Sequence, residues 1–436
     1  MPVVRLHRLE QMPCQPALAD PAGEIRRQIL HSRLRERVRA GGRVAVAVGS
    51  RGIANFRSLV RATVDTLKDL GYRPFVVAAM GSHGGATAEG QRQLLASYGI
   101  TPETIETNVS TAMEVVCLGR NSWDEPVYWD RTAYEADAVV TLSRIKPHTD
   151  FRGRFESGIV KMLVIGLGKR EGAATHHQYG IRGLRDMMPE SAKVVLARTR
   201  FALGLAILEN AREQTALIQA VEPEELFEVE PRLLEQARSL VARLPVQQLD
   251  LLVVGELGKN YSGTGMDVHV LGRQMIETQA DSWNPMITRI CVLDLSEESH
   301  GNAVGLGLAD LTTKKILARM DPVVTNLNSF TSCFLLRAKV PPAFDTDREC
   351  VEMGLRTCWQ PRLERVRMAI IPNTLELTTL WVTPPVAEEC HGRADLHVAS
   401  AWQEIPWNDQ GDLVQEELFP DSVRARRRRS GTATGP

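Results

Sequence analysis

The chain has 436 residues, more than one hydrophobic core usually organises, so two domains are expected. Apolar residues make up 43% and charged residues 24%, with 52 Lys and Arg against 53 Asp and Glu. That balance is globular and sets up no field to gather nucleic acid or an anionic membrane, which leaves a small molecule as the expected partner.

The opening residues mix charges among apolar positions and lack a signal-peptide core, and no apolar run approaches a membrane span. Seven scattered cysteines contain no C-x-x-C pair, which argues against a disulfide framework, a zinc ribbon or a thiolate-held iron–sulfur cluster. Cytoplasm is the expected location, with the cysteines as reduced packing residues.

In chain order, "RVAVAV" (43–48) reads as a buried strand broken by "GSRGIA". A helix follows with apolar spacing at Phe56, Leu59, Val60, Val64 and Leu67, Asn55 as N-cap and Gly71 just past its end. "PFVVAAM" (74–80) is a strand, "GSHGGA" a turn, and a helix opens near Thr87. "ADAVVTL" (136–142) is another buried strand that runs into "SRIKPHTDF". After "VKMLVIGLG" a helix is expected from about 169, then strands from "KVVLA", "LAILE" and "ALIQAV" within 192–221.

Residues 222–247 read as a charged helical connector. A second α/β pattern has strands at 249–255, 289–295, 367–373 and 378–383, with a helix-like stretch over 307–320. The expected fold is therefore α/β, two domains with Rossmann-like sheets flanking a cleft and joined by a helical connector. The expected boundaries are 1–221, 222–247, 248–420 and a basic disordered tail over 421–436.

Open α/β sheets bind ligands beyond the carboxyl ends of their strands, so Arg51, His83 and the Lys146/His148 pair are expected to share one crevice. Lys161 stands inside the apolar run "GIVKMLVIGLG", where a charged amine is costly unless paired, neutralised or chemically used; an edge position with the amine reaching water is the alternative. His176 and His177, neighbours on a predicted helix, point about 100° apart, so only one of them is a candidate metal ligand. "GLGKRE" lacks the last glycine of a dinucleotide fingerprint, and "GELGKNYSGTG" lacks Walker spacing. The loop "GKNYSGTGMDVH" reads either as a surface turn or as a close approach to a ligand.

The ordered series Arg51, "GSHGG" with His83, "PH" with His148, a lysine after a glycine-bearing turn, then "RE" and a histidine resembles the nickel-pincer lactate racemase family over most of residues 40–180, and more loosely to about 385. The resemblance implies a racemase or epimerase of a 2-hydroxy acid. Its implied cofactor is a nickel-pincer nucleotide, pyridinium-3,5-bisthiocarboxylic acid mononucleotide nickel, attached covalently at Lys161, with Gly158 in the turn before it. Arg170 and Glu171 support that register.

It further implies His177 as nickel ligand, with His176 as alternative, His83 and His148 as acid–base pair, and Arg51 as substrate-positioning residue. Lys259, Asp267 and Arg273 are the second-domain candidates for cofactor contact, with Trp381 or Trp359 for the family's tryptophan. Hydride transfer from the substrate carbon would give a planar 2-oxo acid that can be reduced on either face, and accessory proteins would make the cofactor. Val48 replaces the family's aspartate, "SRG" its Thr-Arg-Pro, and the interval from His148 to Lys161 is longer, which points away from lactate. The alternative is a non-racemising nucleotide- or metal-binding homologue of the same fold.

Overall fold

The computed structural model describes residues 4–49, 53–277, 279–281 and 284–431. The chain divides into two compact units, residues 15–241 and residues 1–14 with 242–436. Both are α/β. The expected partition differs from this at both ends of the first unit. Strand β1 (Arg5–Gln11) belongs to the second unit, and the helix Leu226–Leu240, expected as a free connector, packs within the first.

In the first unit, strands β2 (Arg43–Val48), β3 (Arg73–Ala78), β4 (Val109–Ser110), β7 (Ala138–Arg144), β8 (Phe201–Glu209) and β9 (Thr215–Val221) form a sheet in the order β4-β3-β2-β7-β8-β9. A separate ribbon pairs β5 (Val115–Arg120) with β6 (Pro126–Asp130). All neighbours in the six-stranded sheet are parallel except β8 and β9. Parallel strands need crossovers, and those place helices on both faces, which is why these strands read as unbroken apolar runs. Along β2, Val44, Val46 and Val48 pack toward the helices Pro21–His31 and Phe56–Asp69. Ala45 and Ala47 face the helices Met188–Arg198 and Leu226–Leu240. Each fully buried Val or Leu adds about 1.5–3 kcal/mol.

Most expected strands appear within two or three residues of their predicted ends. "KVVLA" does not: residues 193–197 lie in the helix Met188–Arg198, which buries Ser191, Ala192 and Val195 on one face. Asn55 occupies the N-cap position without a side-chain cap, its amide reaching Thr215 instead. Gly71 ends the helix with φ 81°, as the cap expectation requires.

The second unit has one eight-stranded sheet. Strands β10 (Gln248–Val254), β11 (Met286–Val292), β12 (Leu311–Thr313), β13 (Ala343–Phe344), β14 (Met368–Ile371), β15 (Thr379–Val382) and β16 (Leu396–Glu404) join β1 in the order β13-β12-β11-β10-β14-β15-β1-β16. Within the stretch read as helical, residues 311–313 are strand and only Lys314–Arg319 is helix.

The basic tail is not disordered through residue 431. A helix, Val423–Gly431, lies on this unit. Arg424 Nη1 lies 3.1 Å from Glu256 Oε1 and 2.8 Å from Asp294 Oδ2, and Arg427 Nη2 lies 2.8 Å from Glu256. Buried carboxylates at the ends of β10 and β11 explain why an arginine-rich end folds back, since Glu256 would otherwise be a buried charge without a cation, while Asp294 also pairs with Arg319. Among the described residues no helix is long and apolar enough to cross a membrane.

Candidate functional site

Because β2, β3, β7 and β8 are parallel, the loops after them lie on one edge of the first sheet, and the order reverses between β2 and β7. One backbone segment fills that edge. The short helix Ile159–Lys161 continues into a widened turn, Met162–Gly166, wound with the longer hydrogen bonds that often mark functional sites. Gly166 O accepts from Gly81 N at 3.0 Å, which stitches this segment to the "GSHGG" loop. Gly81 has φ 57°, a conformation that favours glycine. The wholly buried Gln91 amide donates to Gly81 O at 3.0 Å and His83 O at 3.3 Å, fixing the loop from below. The His83 side chain is exposed on this rim. Arg51 lies outside the described residues. Ala54 N–H donates to Glu209 at 2.6 Å, and Glu209 pairs with Arg144 at 2.7 Å.

His148 and Lys161 meet directly, Nε2 of the imidazole against Nζ of the amine. The loop between them closes through paired backbone bonds between Lys146 and Ser157. Glu156, wholly buried, organises its interior: Oε2 accepts His148 N–H at 2.7 Å, and Oε1 accepts Gly153 N–H at 3.0 Å. Arg238 donates to Oε1 at 2.6 Å from the helix Leu226–Leu240. That helix makes a second tie. Pro231 has no N–H for Phe227 O, and the freed carbonyl accepts from Arg154 at 2.7 Å.

At His148, Asp150 N–H donates to Nδ1 at 3.0 Å, so Nδ1 carries a lone pair and the neutral ring holds its proton on Nε2. The Asp150 carboxylate, 3.8 Å from Nδ1, provides a partner for the alternative, protonated ring.

The two adjacent histidines differ. His176 is buried with both nitrogens engaged, Nδ1 with Gly172 O at 2.8 Å and Nε2 with Ser191 Oγ at 2.9 Å, which makes it a packing residue. His177 is half-buried. Burial pushes its pKa down to about 4, helped by the Lys161 ammonium and opposed by the Asp150 carboxylate, so it lies within electrostatic reach of both. The imidazole is uncharged at neutral pH, the form that binds metals. Lys161 is half-buried. The lysine with no exposure is Lys169, paired with Asp130 at 2.9 Å and donating to Ala78 O at 2.6 Å.

Gly158 precedes the Lys161 turn, and a Cβ there would overlap the carboxyl of Glu230. Glu230 Oε2 accepts Val160 N–H at 3.0 Å. Glu156, Glu230 and Arg238 were not singled out in the sequence, although Glu230 falls on the apolar face of its helix beside Leu226, Leu233 and Leu234. A surface cavity lined by Leu118, Arg120, Lys193 and Arg198 contains none of these residues.

In the second unit, Lys259 Nζ donates to Gly263 O at 2.9 Å, and Asp267 caps the short helix Val268–Leu271 by accepting His269 N–H at 2.8 Å. The loop is thus internally bonded. Arg273 is buried against Asp310 at 2.8 Å. Trp381 is a core residue of β15 whose indole N–H donates to Leu418 O at 2.9 Å, whereas Trp359 is 82% exposed beneath Arg289. Neither tryptophan has the half-sheltered setting of a ligand platform.

The residues at the edge of the first sheet fit the cofactor that the sequence implies: an amine for covalent attachment and, near it, a neutral imidazole for a metal. Among the described residues no group of three or more His, Cys, Asp or Glu could hold a metal ion, so such a metal would take its remaining donors from the cofactor.

This is an α/β domain that presents an amine, imidazoles and a glycine-rich turn at its strand ends. Residues 8–186 match the family model described as the lactate racemase N-terminal domain. No curated protein matches it. A similar solved structure is the lactate racemase apoprotein from Thermoanaerobacterium thermosaccharolyticum, at 12% identity over 81% of this chain and 91% of that one, with a TM-score of 0.45.

Proposed function

We propose that the chain is a racemase or epimerase of a 2-hydroxy acid that holds a nickel-pincer nucleotide through Lys161, with His177 as the nickel ligand and residues 1–221 as the catalytic part. The observation that carries this reading is the contact between the His148 imidazole and the Lys161 amine at the strand ends of a lactate racemase N-terminal domain. When bound, the cofactor supplies a hydride acceptor and donor, the larger share of the rate enhancement.

The side chains do the rest. His148 and His83 exchange the proton of the substrate hydroxyl, one for each orientation, each step worth about 10²–10⁴-fold. Asp150 serves both states of His148, offering its N–H to the neutral ring and its carboxylate to the protonated one. Arg51 clamps the carboxylate by a bidentate contact.

The test is production of the chain with nickel and the cofactor-making enzymes. The expected result is added mass at Lys161 and about one nickel per chain, retention being lost in His177→Ala. Chiral chromatography over a panel of enantiopure 2-hydroxy acids then reads inversion directly. An unmodified Lys161 in matured protein overturns the reading, and an adduct without inversion of any acid favours a binding protein.

A further inference from the structure

We propose that Glu230 is a positioning residue for Lys161, holding the 158–161 turn so that the amine faces His148. The assignment rests on Lys161 as the attachment point. Glu230 comes from a helix more than sixty residues further along the chain and has 1% exposure. Its Oε2 accepts Val160 N–H, the peptide group immediately before Lys161, and Ile159 N–H is a second donor toward the carboxyl. These are first-turn N–H groups of the Lys161 helix, which has no side-chain cap of its own. Gly158 leaves the space that the carboxyl occupies.

The same helix holds the other partner. Two turns on, Arg238 fixes Glu156, which in turn fixes His148 N–H. One rigid element therefore sets both halves of the amine–imidazole contact. Nothing in packing alone calls for a carboxyl on the apolar face of that helix, beside Leu226, Val229, Leu233 and Leu234. Burial raises its pKa to about 8, so it works as a neutral acid at neutral pH, accepting N–H groups without a buried charge.

The experiment uses the full-length chain without cofactor and reads the rate at which each lysine is acetylated by limiting acetic anhydride, resolved by mass spectrometry. In the wild-type chain Lys161 should react faster than Lys68 and Lys193 at pH 7.5, because the imidazole in contact with it can take up the proton the amine loses on acylation. Glu230→Met keeps the volume but removes the acceptor. Lys161 is then expected to lose its orientation toward His148, and with it the proton acceptor, and to react at least about tenfold more slowly. Glu230→Gln retains an acceptor and should rescue the rate, which a merely space-filling role would not distinguish. Gly158→Ala, which crowds the carboxyl, should slow Lys161 in the same way and decides the matter if the Met variant does not fold.

Unchanged Lys161 reactivity in a folded Met or Ala variant overturns the proposal, as does equal loss in Gln and Met. If Lys161 shows this dependence yet never gains cofactor mass, the attachment reading fails while the positioning role stands.

Discussion

The ammonium of Lys169 lies 2.9 Å from Oδ2 of Asp130, and both side chains are wholly buried. Breaking such a pair from one side leaves an uncompensated charge in the core. Lys169→Met should therefore lower stability by about 3–5 kcal/mol in chemical denaturation. Adding Asp130→Asn, which keeps the acceptor for Ala133 N–H, should restore a substantial part. Additive losses in the double variant would show that the pair is not coupled.

Glu230 makes stability fall as pH rises. Its folded pKa, about 8, lies above its ordinary value of 4.5. Between those values the folded state binds more protons than the unfolded, so the slope is negative. The penalty is absent below about pH 4, grows through the window and levels off above about pH 8, reaching a few kcal/mol at most. Glu230→Gln should be more stable than wild type at pH 8 and equal to it near pH 4 in urea titrations. A pH-independent difference would contradict this.

His177 has the opposite sign. Its folded pKa is lowered from 6.5 to about 4, so across that window the unfolded state binds more protons and stability rises with pH. A two-dimensional NMR titration of the unloaded protein should show this ring neutral at pH 5, where an ordinary histidine is mostly protonated. A midpoint near 6.5 would mean that the ring is more open to water than the structure has it.

Arg424 sits between Glu256 and Asp294, the carboxylates themselves only 1% and 2% exposed. Removing residues 421–436 should destabilise the second unit by about 3–5 kcal/mol, because the buried Glu256 loses both its cations while Asp294 keeps only Arg319. Arg424→Met should account for much of that loss, and thermal unfolding of both variants measures it. A truncated chain with an unchanged midpoint would place that helix outside the folded core.

Local periodicity revealed the strands 43–48, 74–80 and 249–255 because each is a buried parallel strand flanked by turn residues, a signal contained within a dozen positions. It misread "KVVLA", since a short β-branched run fits a strand and one face of a helix equally well. Lys161 drew notice through its apolar neighbours, and its contact with His148 spans only 13 positions. That reasoning was right that a lysine there is unusual, but the fully buried lysine is Lys169, whose partner Asp130 is 39 positions earlier, beyond any local pattern. The Glu156–Arg238 and Glu230–Val160 bonds span 82 and 70 positions. Only the misplaced carboxyl on an apolar helical stripe hinted at them. The tail read as disordered because its composition is solvating, and nothing local discloses acidic partners such as Glu256 and Asp294, well over a hundred positions away.

Strand β1 pairs with β15 and β16, and His7 bonds to Ala399 across 392 positions. Residues 15–241 thus form a guest inserted near the start of the second unit's sequence, entering and leaving at neighbouring points, where Gln15 reaches Leu240 O at 3.2 Å. On the ribosome, β1 must wait for β16, on the order of 20–80 s at ~5–20 residues per second. The guest can complete its own core meanwhile, so the amine–imidazole contact is assembled before the host sheet closes.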